Sequence, residues 1–175
     1  MDQSRKVVES KWIYRGKIFS VRIDKVESSG KTHEIEVVEH PGSFAIAALT
    51  DDGLIMVRQY RHAVGADLWE IPAGTAEEGE DCEDGARREL QEETGYTADS
   101  FELIGKLYPT PGFCDEVVHL YVARGLHAGA SNPEEDEKFE VRHVSFADAW
   151  RMQASGDIAD MKTVVALLWL SARPS

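Results

Sequence analysis

The sequence predicts an α/β protein: a layered α/β/α sandwich on a mixed sheet, preceded by a small antiparallel β-meander. Three observations carry this. Short runs of alternating apolar and polar residues recur from residue 6 onward, the two-residue period of half-buried strands. Helical patterning is confined to an acidic segment, 80–94, and to the C-terminal stretch 147–171. Strands interleaved with so few helices, one central and one outside, bury their apolar sides best as layers around one sheet.

A chain of 175 residues is expected to be one main domain with a small extension, divided here at 1–41 and 42–175. Apolar content of 42% and charged content of 29% are ordinary for a globular protein. Nineteen basic against thirty-two acidic residues leave a net charge of −13. Nucleic acid is therefore an unfavoured partner, because no basic excess exists to neutralise its phosphates. Cys82 and Cys114 have no metal-type spacing and suggest a reducing compartment. The N-terminal run MDQSRKVVESKW is too polar for a signal peptide, and Val164–Leu170 is too short to span a bilayer. A cytoplasmic protein without a membrane partner is the expectation.

Residues 6–40 read as three strands, with turns at Gly16-Lys17 and at Ser28–Lys31. So thin a sheet keeps an exposed face and is expected to pack on the main domain or on a second subunit. Ser43–Thr50 and Leu54–Arg61 form a hairpin about Asp51-Asp52-Gly53. The first of these strands is almost wholly apolar and should be buried on both faces. The second ends in Arg58, Tyr60, Arg61 and His62. That cationic cluster is either a solvated strand end or a fork for phosphate.

Asp67–Ala73 leads into the helix 80–94. Ser100–Leu107 is the next strand, and Pro109 and Pro111 break the chain into a loop. Glu116–Ala123 alternates with period two. His119 within it is expected on the sheet face or in the core, not as a ligand. Ala128–Lys138 is acidic and turn-rich, and 140–146 is extended again. Ser145 should cap a helix through 147–152, which Ser155-Gly156 ends. Met161, Val164, Val165, Leu167, Leu168 and Leu170 mark a core helix over 158–171. Trp150 and Trp169 are expected in the core.

The chemistry concentrates in Gly74–Tyr96, GTAEEGEDCEDGARRELQEETGY. Glu89, Glu92 and Glu93 stand at i, i+3 and i+4, so a helix projects all three carboxylates from one face. Like charges so placed destabilise a helix by roughly 0.2–0.5 kcal/mol a pair. A solvated face tolerates that, while a hard divalent cation would offset it, as Mg²⁺ does with a few carboxylates and substrate phosphates. Arg88 is within reach of Glu92, Leu90 can anchor the opposite face, and Gly95 stops the helix.

Gly74, Glu80, Arg88-Glu89-Leu90, Glu92-Glu93 and Gly95-Tyr96, at these spacings, resemble the Nudix box of the Nudix hydrolases. The one departure is Tyr96, where the family prefers an aliphatic residue at a packing position. The resemblance implies a Nudix fold and hydrolysis of a nucleoside diphosphate linked to a second moiety, with Mg²⁺ or Mn²⁺. It implies Glu89, Glu93 and Glu92 as metal ligands together with the Ala73 carbonyl. Glu80 would support the loop or the outer shell of the metal, and Arg88 would orient a box glutamate.

Pro111, sixteen residues after Gly95, and the N-terminal meander resemble the ADP-ribose pyrophosphatase subfamily. That resemblance implies an intertwined homodimer and ADP-ribose as the substrate. A general base would come from the acidic loop, Glu135 first and Glu137 second. Arg58 and Arg61 would bind the diphosphate or the terminal ribose, and Glu116 ribose hydroxyls or the attacking water. Trp12 and Phe19 are the aromatic candidates for stacking adenine. Another nucleoside diphosphate sugar, such as GDP-mannose, remains open as substrate, because the box is indifferent to the second moiety. A non-catalytic ADP-ribose sensor is the more distant alternative.

Overall fold

The computed structural model describes residues 5–130 and 140–172. They fall into two compact units: one takes the residues up to Gly42 with Tyr108–Val117, the other Ser43–Leu107 with the residues from Val118 onward.

The first unit is an antiparallel three-stranded sheet in the order β1 (Lys6–Arg15), β2 (Ser20–Ser28), β3 (Lys31–Glu39). Its strands match the three expected runs. Every residue of β1 is exposed. Ser10 Oγ donates to Asp24 at 2.6 Å and Arg22 pairs with the same carboxylate at 3.1 Å, so a buried acid staples β1 to β2. The 108–117 segment closes a turn on the Thr110 carbonyl and bridges β3, with Val38 N donating to Phe113 O at 2.7 Å.

The second unit is built on β4 (Ser43–Leu49), β5 (Gly53–Arg61), β6 (Ala66–Glu70), β7 (Ala73–Thr75), β8 (Tyr96–Leu107), β9 (Val118–Ala128) and β10 (Glu140–Ser145). The main path of this mixed sheet runs β10-β5-β4-β9-β8, with β6 on β5 and β7 on β4. β4 and β9 are parallel and the other pairs antiparallel. Strand alternation sorts β4 between two cores. Phe44, Ile46 and Ala48 pack with Ala86 and Leu90 of helix α1 (Cys82–Thr94). Ala45 and Ala47 lie in the opposite core, which gathers Ala149 of α2 (Phe146–Ser155) and Ala166 and Leu167 of α3 (Met161–Ser171). The expected α/β/α layering is thus present. Fully burying a side chain such as Leu90 is worth about 1.5–3 kcal/mol, enough to outweigh the charge repulsion on the far face of α1.

Three expectations need correction. β8 begins at Tyr96, not Ser100, because Gly95 at φ 75° turns the chain and Tyr96–Ala98 pair at once with Leu126–Ala128. β9 accordingly runs on past Ala123 to Ala128. α3 starts at Met161, where Asp160 caps it, and Met161 and Leu168 (54% exposed) face away from the core that holds Leu167. Trp150 and Trp169 pack partly buried against that core. No helix among the described residues is long and apolar enough to cross a membrane.

Candidate active site

The site is assembled by three elements of the second unit. β7 pairs with the start of β4, Ala73 opposite Ala45 and Gly74 opposite Phe44. The Pro72 carbonyl accepts from Ile46 N at 2.9 Å. Helix α1 is set by Asp81, whose carboxylate accepts from the amides of Glu83 and Asp84, and is closed by Gly95. Glu89 and Glu93 are 8% and 5% exposed.

Glu89 lies directly on Gly74. A Cβ at Gly74 would stand 1.9 Å from the Glu89 carboxyl carbon and 2.1 Å from each of its oxygens. Only glycine permits that approach. Glu93 Oε2 accepts from Ala73 N at 3.0 Å. Two buried carboxylates thus converge on the Ala73–Gly74 backbone.

Arg88 supplies the balancing charge. Its Nε and Nη2 donate to the two oxygens of Glu80 at 2.9 and 3.1 Å, and Nη1 donates to Glu92 at 2.9 Å and stands 2.8 Å from Glu89. The Glu80 hydrogen bonds, with the charges of the box carboxylates, push the Arg88 pKa above its already high ordinary value, against the effect of burial. The same Arg88 hydrogen bonds hold the Glu80 carboxyl below the usual carboxylate range. Arg88 is thereby tied to three carboxylates of the box at once.

The donor set is all oxygen, anionic, partly buried and backed by a glycine cradle, which fits a hard divalent cation. Among the described residues, no three His, Cys, Asp or Glu already stand together as a cation cage. Glu89 is drawn toward Arg88 and Glu93 toward the Ala73 amide.

Arg58 and Arg61 are not brought together. Three residues apart on one regular strand, they face opposite sides of it. Arg58 pairs with Asp67 at 3.2 Å and Glu140 at 3.5 Å. Arg61 forms a two-pronged pair with Glu70, both contacts at 2.8 Å. Burial pushes the Glu70 carboxyl up, and Arg61 with Lys162 more than reverse this, leaving it below the usual range. Glu70 and Lys162 were not among the residues singled out from the sequence. The only signal was a glutamate within an apolar run, Leu68–Ile71.

Trp12, Phe19, Pro111 and Glu116 belong to the first unit. Arg15 lies over the Trp12 ring at 4.5 Å, Phe19 packs on Tyr14 at 5.6 Å, and Pro111 is exposed in the turn closed on Thr110. Glu135 and Glu137 lie outside the described residues. His119 faces α1, with Nε2 3.7 Å from Cys82 Sγ, and burial followed by the Lys106 charge lowers its pKa.

The NUDIX domain matches residues 39–168. The chain belongs to the Nudix family. It is 40% identical to the ADP-ribose pyrophosphatase of Bacillus subtilis over 172 residues, 96% of this chain and 93% of that protein. It is 38% identical to the methanol dehydrogenase activator of Bacillus methanolicus, over 94% and 91% of the two chains. A crystal structure of an ADP compounds hydrolase superposes with a TM-score of 0.85 over 97% of this chain and 94% of that one, at 23% identity, a likeness of fold. The chain is a Nudix hydrolase.

Two outcomes are expected of this Nudix box. Gly74→Ala forces Glu89 off the backbone, so kcat falls by about 100-fold or more while the protein stays folded, measured by steady-state kinetics beside circular dichroism. Glu80, with a lowered folded pKa, adds stability that is complete above its ordinary 4.5 and is lost as pH falls through the folded value. In Glu80→Gln the denaturation midpoint should be lower at neutral pH and should fall less steeply below pH 4.5 than in wild type.

Proposed function

We propose that this Nudix hydrolase cleaves the diphosphate of ADP-ribose to AMP and ribose 5-phosphate, with Mg²⁺ or Mn²⁺ as the cation. The reaction type rests on the convergence of Glu89 and Glu93 on the Ala73–Gly74 backbone. The substrate rests on the 40% identity with the Bacillus subtilis ADP-ribose pyrophosphatase across nearly the whole chain.

A diphosphate concentrates negative charge and repels a nucleophile. A cation held at this site would supply positive charge to the diphosphate and make a bound water more acidic. Glu89, Glu93 and the Ala73 carbonyl would hold that cation, with Glu92 beside them. Arg88 keeps Glu80, Glu89 and Glu92 in register so that they do not splay apart. Arg61 would hold a phosphate oxygen, and Arg58 the terminal ribose. Glu135, or Glu137 after it, would take the proton of the attacking water as its oxygen bonds to phosphorus and the bridging P–O bond breaks. Trp12, Phe19, Pro111 and Glu116 are proposed substrate contacts on the resemblance alone.

A second copy of the chain would cover the first unit, where Val7, Val8 and Ile13 of β1 and Ile18 and Phe19 of the turn after it are exposed apolar residues. Exposed apolar residues so concentrated mark an interaction surface.

Purified protein with Mg²⁺ should hydrolyse ADP-ribose faster than GDP-mannose, ADP-glucose or NADH, with AMP and ribose 5-phosphate as products. Glu93→Gln should lower kcat by about 10³-fold. Faster turnover of GDP-mannose would refute the substrate, and tight ADP-ribose binding without turnover would refute the activity. Light scattering should give twice the chain mass at micromolar concentration, and Ile13→Asp should give a monomer. A wild-type monomer would count against the dimer.

A further inference from the structure

We propose that the first turn of α3 is a positioning device for the active site: from one capping carboxylate, Asp160, it holds both the Ala73 backbone and the Arg61 guanidinium. The inference rests on the reading of Ala73 as a cation-binding carbonyl and of Arg61 as a phosphate ligand.

One arm runs through Thr163. Its hydroxyl is fully buried, donates to Asp160 Oδ2 at 2.6 Å and accepts from Ile71 N at 2.9 Å. Ile71 precedes Ala73 by two residues, with Pro72 between them fixing φ. The Pro72 carbonyl is tied to Ile46 N from the sheet side. Residues 71–73 are thereby pinned by α3 on one side and by β4 on the other. Those two anchors fix the backbone that enters Ala73.

The other arm runs through Lys162. Its Nζ stands 2.8 Å from Asp160 Oδ1 and 2.5 Å from Glu70 Oε2. Glu70 is 2% exposed. It grips Nε and Nη2 of Arg61, so the guanidinium plane is set and Nη1 stands outside that fork. The charges sum to zero over Asp160, Lys162, Glu70 and Arg61, which is the condition for burying such a cluster. Arg61 also feels the field of Glu93, which helps to raise its pKa after the Glu70 hydrogen bond.

A helix cap needs only Asp160 and the Thr163 amide, which donates to it at 2.9 Å. Through Thr163 and Lys162 the two further contacts of Asp160 lead away from the helix, one to the Ile71 amide two residues before Ala73 and one to Glu70, which grips Arg61. The role assigned to this turn is one of position, not of chemistry.

The test uses the full chain. Mn²⁺ binding is titrated by electron paramagnetic resonance, ADP-ribose binding by calorimetry, and kcat and KM are measured well below each variant's melting temperature. Thr163→Val should weaken Mn²⁺ binding by about 10–100-fold, and Thr163→Ser should restore it. Lys162→Met should raise KM by about tenfold or more with Mn²⁺ binding unchanged, and Lys162→Arg should recover part of the loss. Asp160→Asn keeps the cap, since Asn caps helices well, and should shift both readouts even if the other variants fold poorly. Wild-type Mn²⁺ affinity and KM in folded Asp160→Asn, with only a lower melting temperature, would overturn the proposal and leave a structural role. A wild-type protein that turns over no nucleoside diphosphate sugar would refute the proposed function instead, while the Mn²⁺ and ADP-ribose titrations would still decide the positioning role.

Discussion

Negative charge packed on one turn of helix is the constraint that shapes this protein. Glu89, Glu92 and Glu93 share a face of α1, and two of them are buried. In water such a group is a mild liability; under partial burial it is a serious one, because carboxylates lose hydration as they approach. The structure answers with Arg88, which bonds Glu80 and Glu92 and contacts Glu89. It answers again with the Ala73 amide at Glu93. One residue of the box therefore exists to make the others tolerable. The Gly74 backbone carries the rest, since any side chain there would occupy the Glu89 carboxylate's own volume.

That local solution depends on the sheet. β4 is apolar on both faces because it must serve two cores. Its first residues then pair with β7, which places Ala73 and Gly74 against α1. A glycine inside α1, Gly85, lets the helix approach Phe44 so closely that an added Cβ would stand 2.2 Å from the ring. Helix and strand are thus drawn together at the point where the carboxylates meet the backbone. Burial energy and site geometry come from the same contact.

Much of this was legible in the sequence. The box is a spaced set of charges and glycines on one helix, and helical spacing is read without knowing the tertiary fold. The meander, the buried β4, the caps at Ser145 and Gly95 and the two-sided layering follow from local periodicity and turn chemistry in the same way. The start of β8 was not legible, because Thr97 and Asp99 look like loop until Leu126–Ala128 come alongside Tyr96–Ala98. Nor was the Glu70 network. Glu70 and Lys162 are ninety-two residues apart, and a lysine at a helix start reads as ordinary surface. Pairings of that range are set by how α3 lies on the sheet, and no window of the sequence contains both partners.

Arg58 and Arg61 illustrate the limit most plainly. By composition they are one cationic cluster near a strand end, and phosphate chemistry suits either. A strand alternates its side chains, so residues three apart diverge. Arg58 is left exposed with two exposed acids, pairs of the kind worth at most about 1 kcal/mol. Arg61 meets a carboxylate that has almost no contact with water. A guanidinium held on two nitrogens has lost most of its rotational freedom before any ligand arrives, so binding through the third nitrogen costs less entropy. By that reasoning the Arg61 side of the strand is the prepared one. In a chain of net charge −13, an arginine fixed in this way is a point of local positive charge against the overall field.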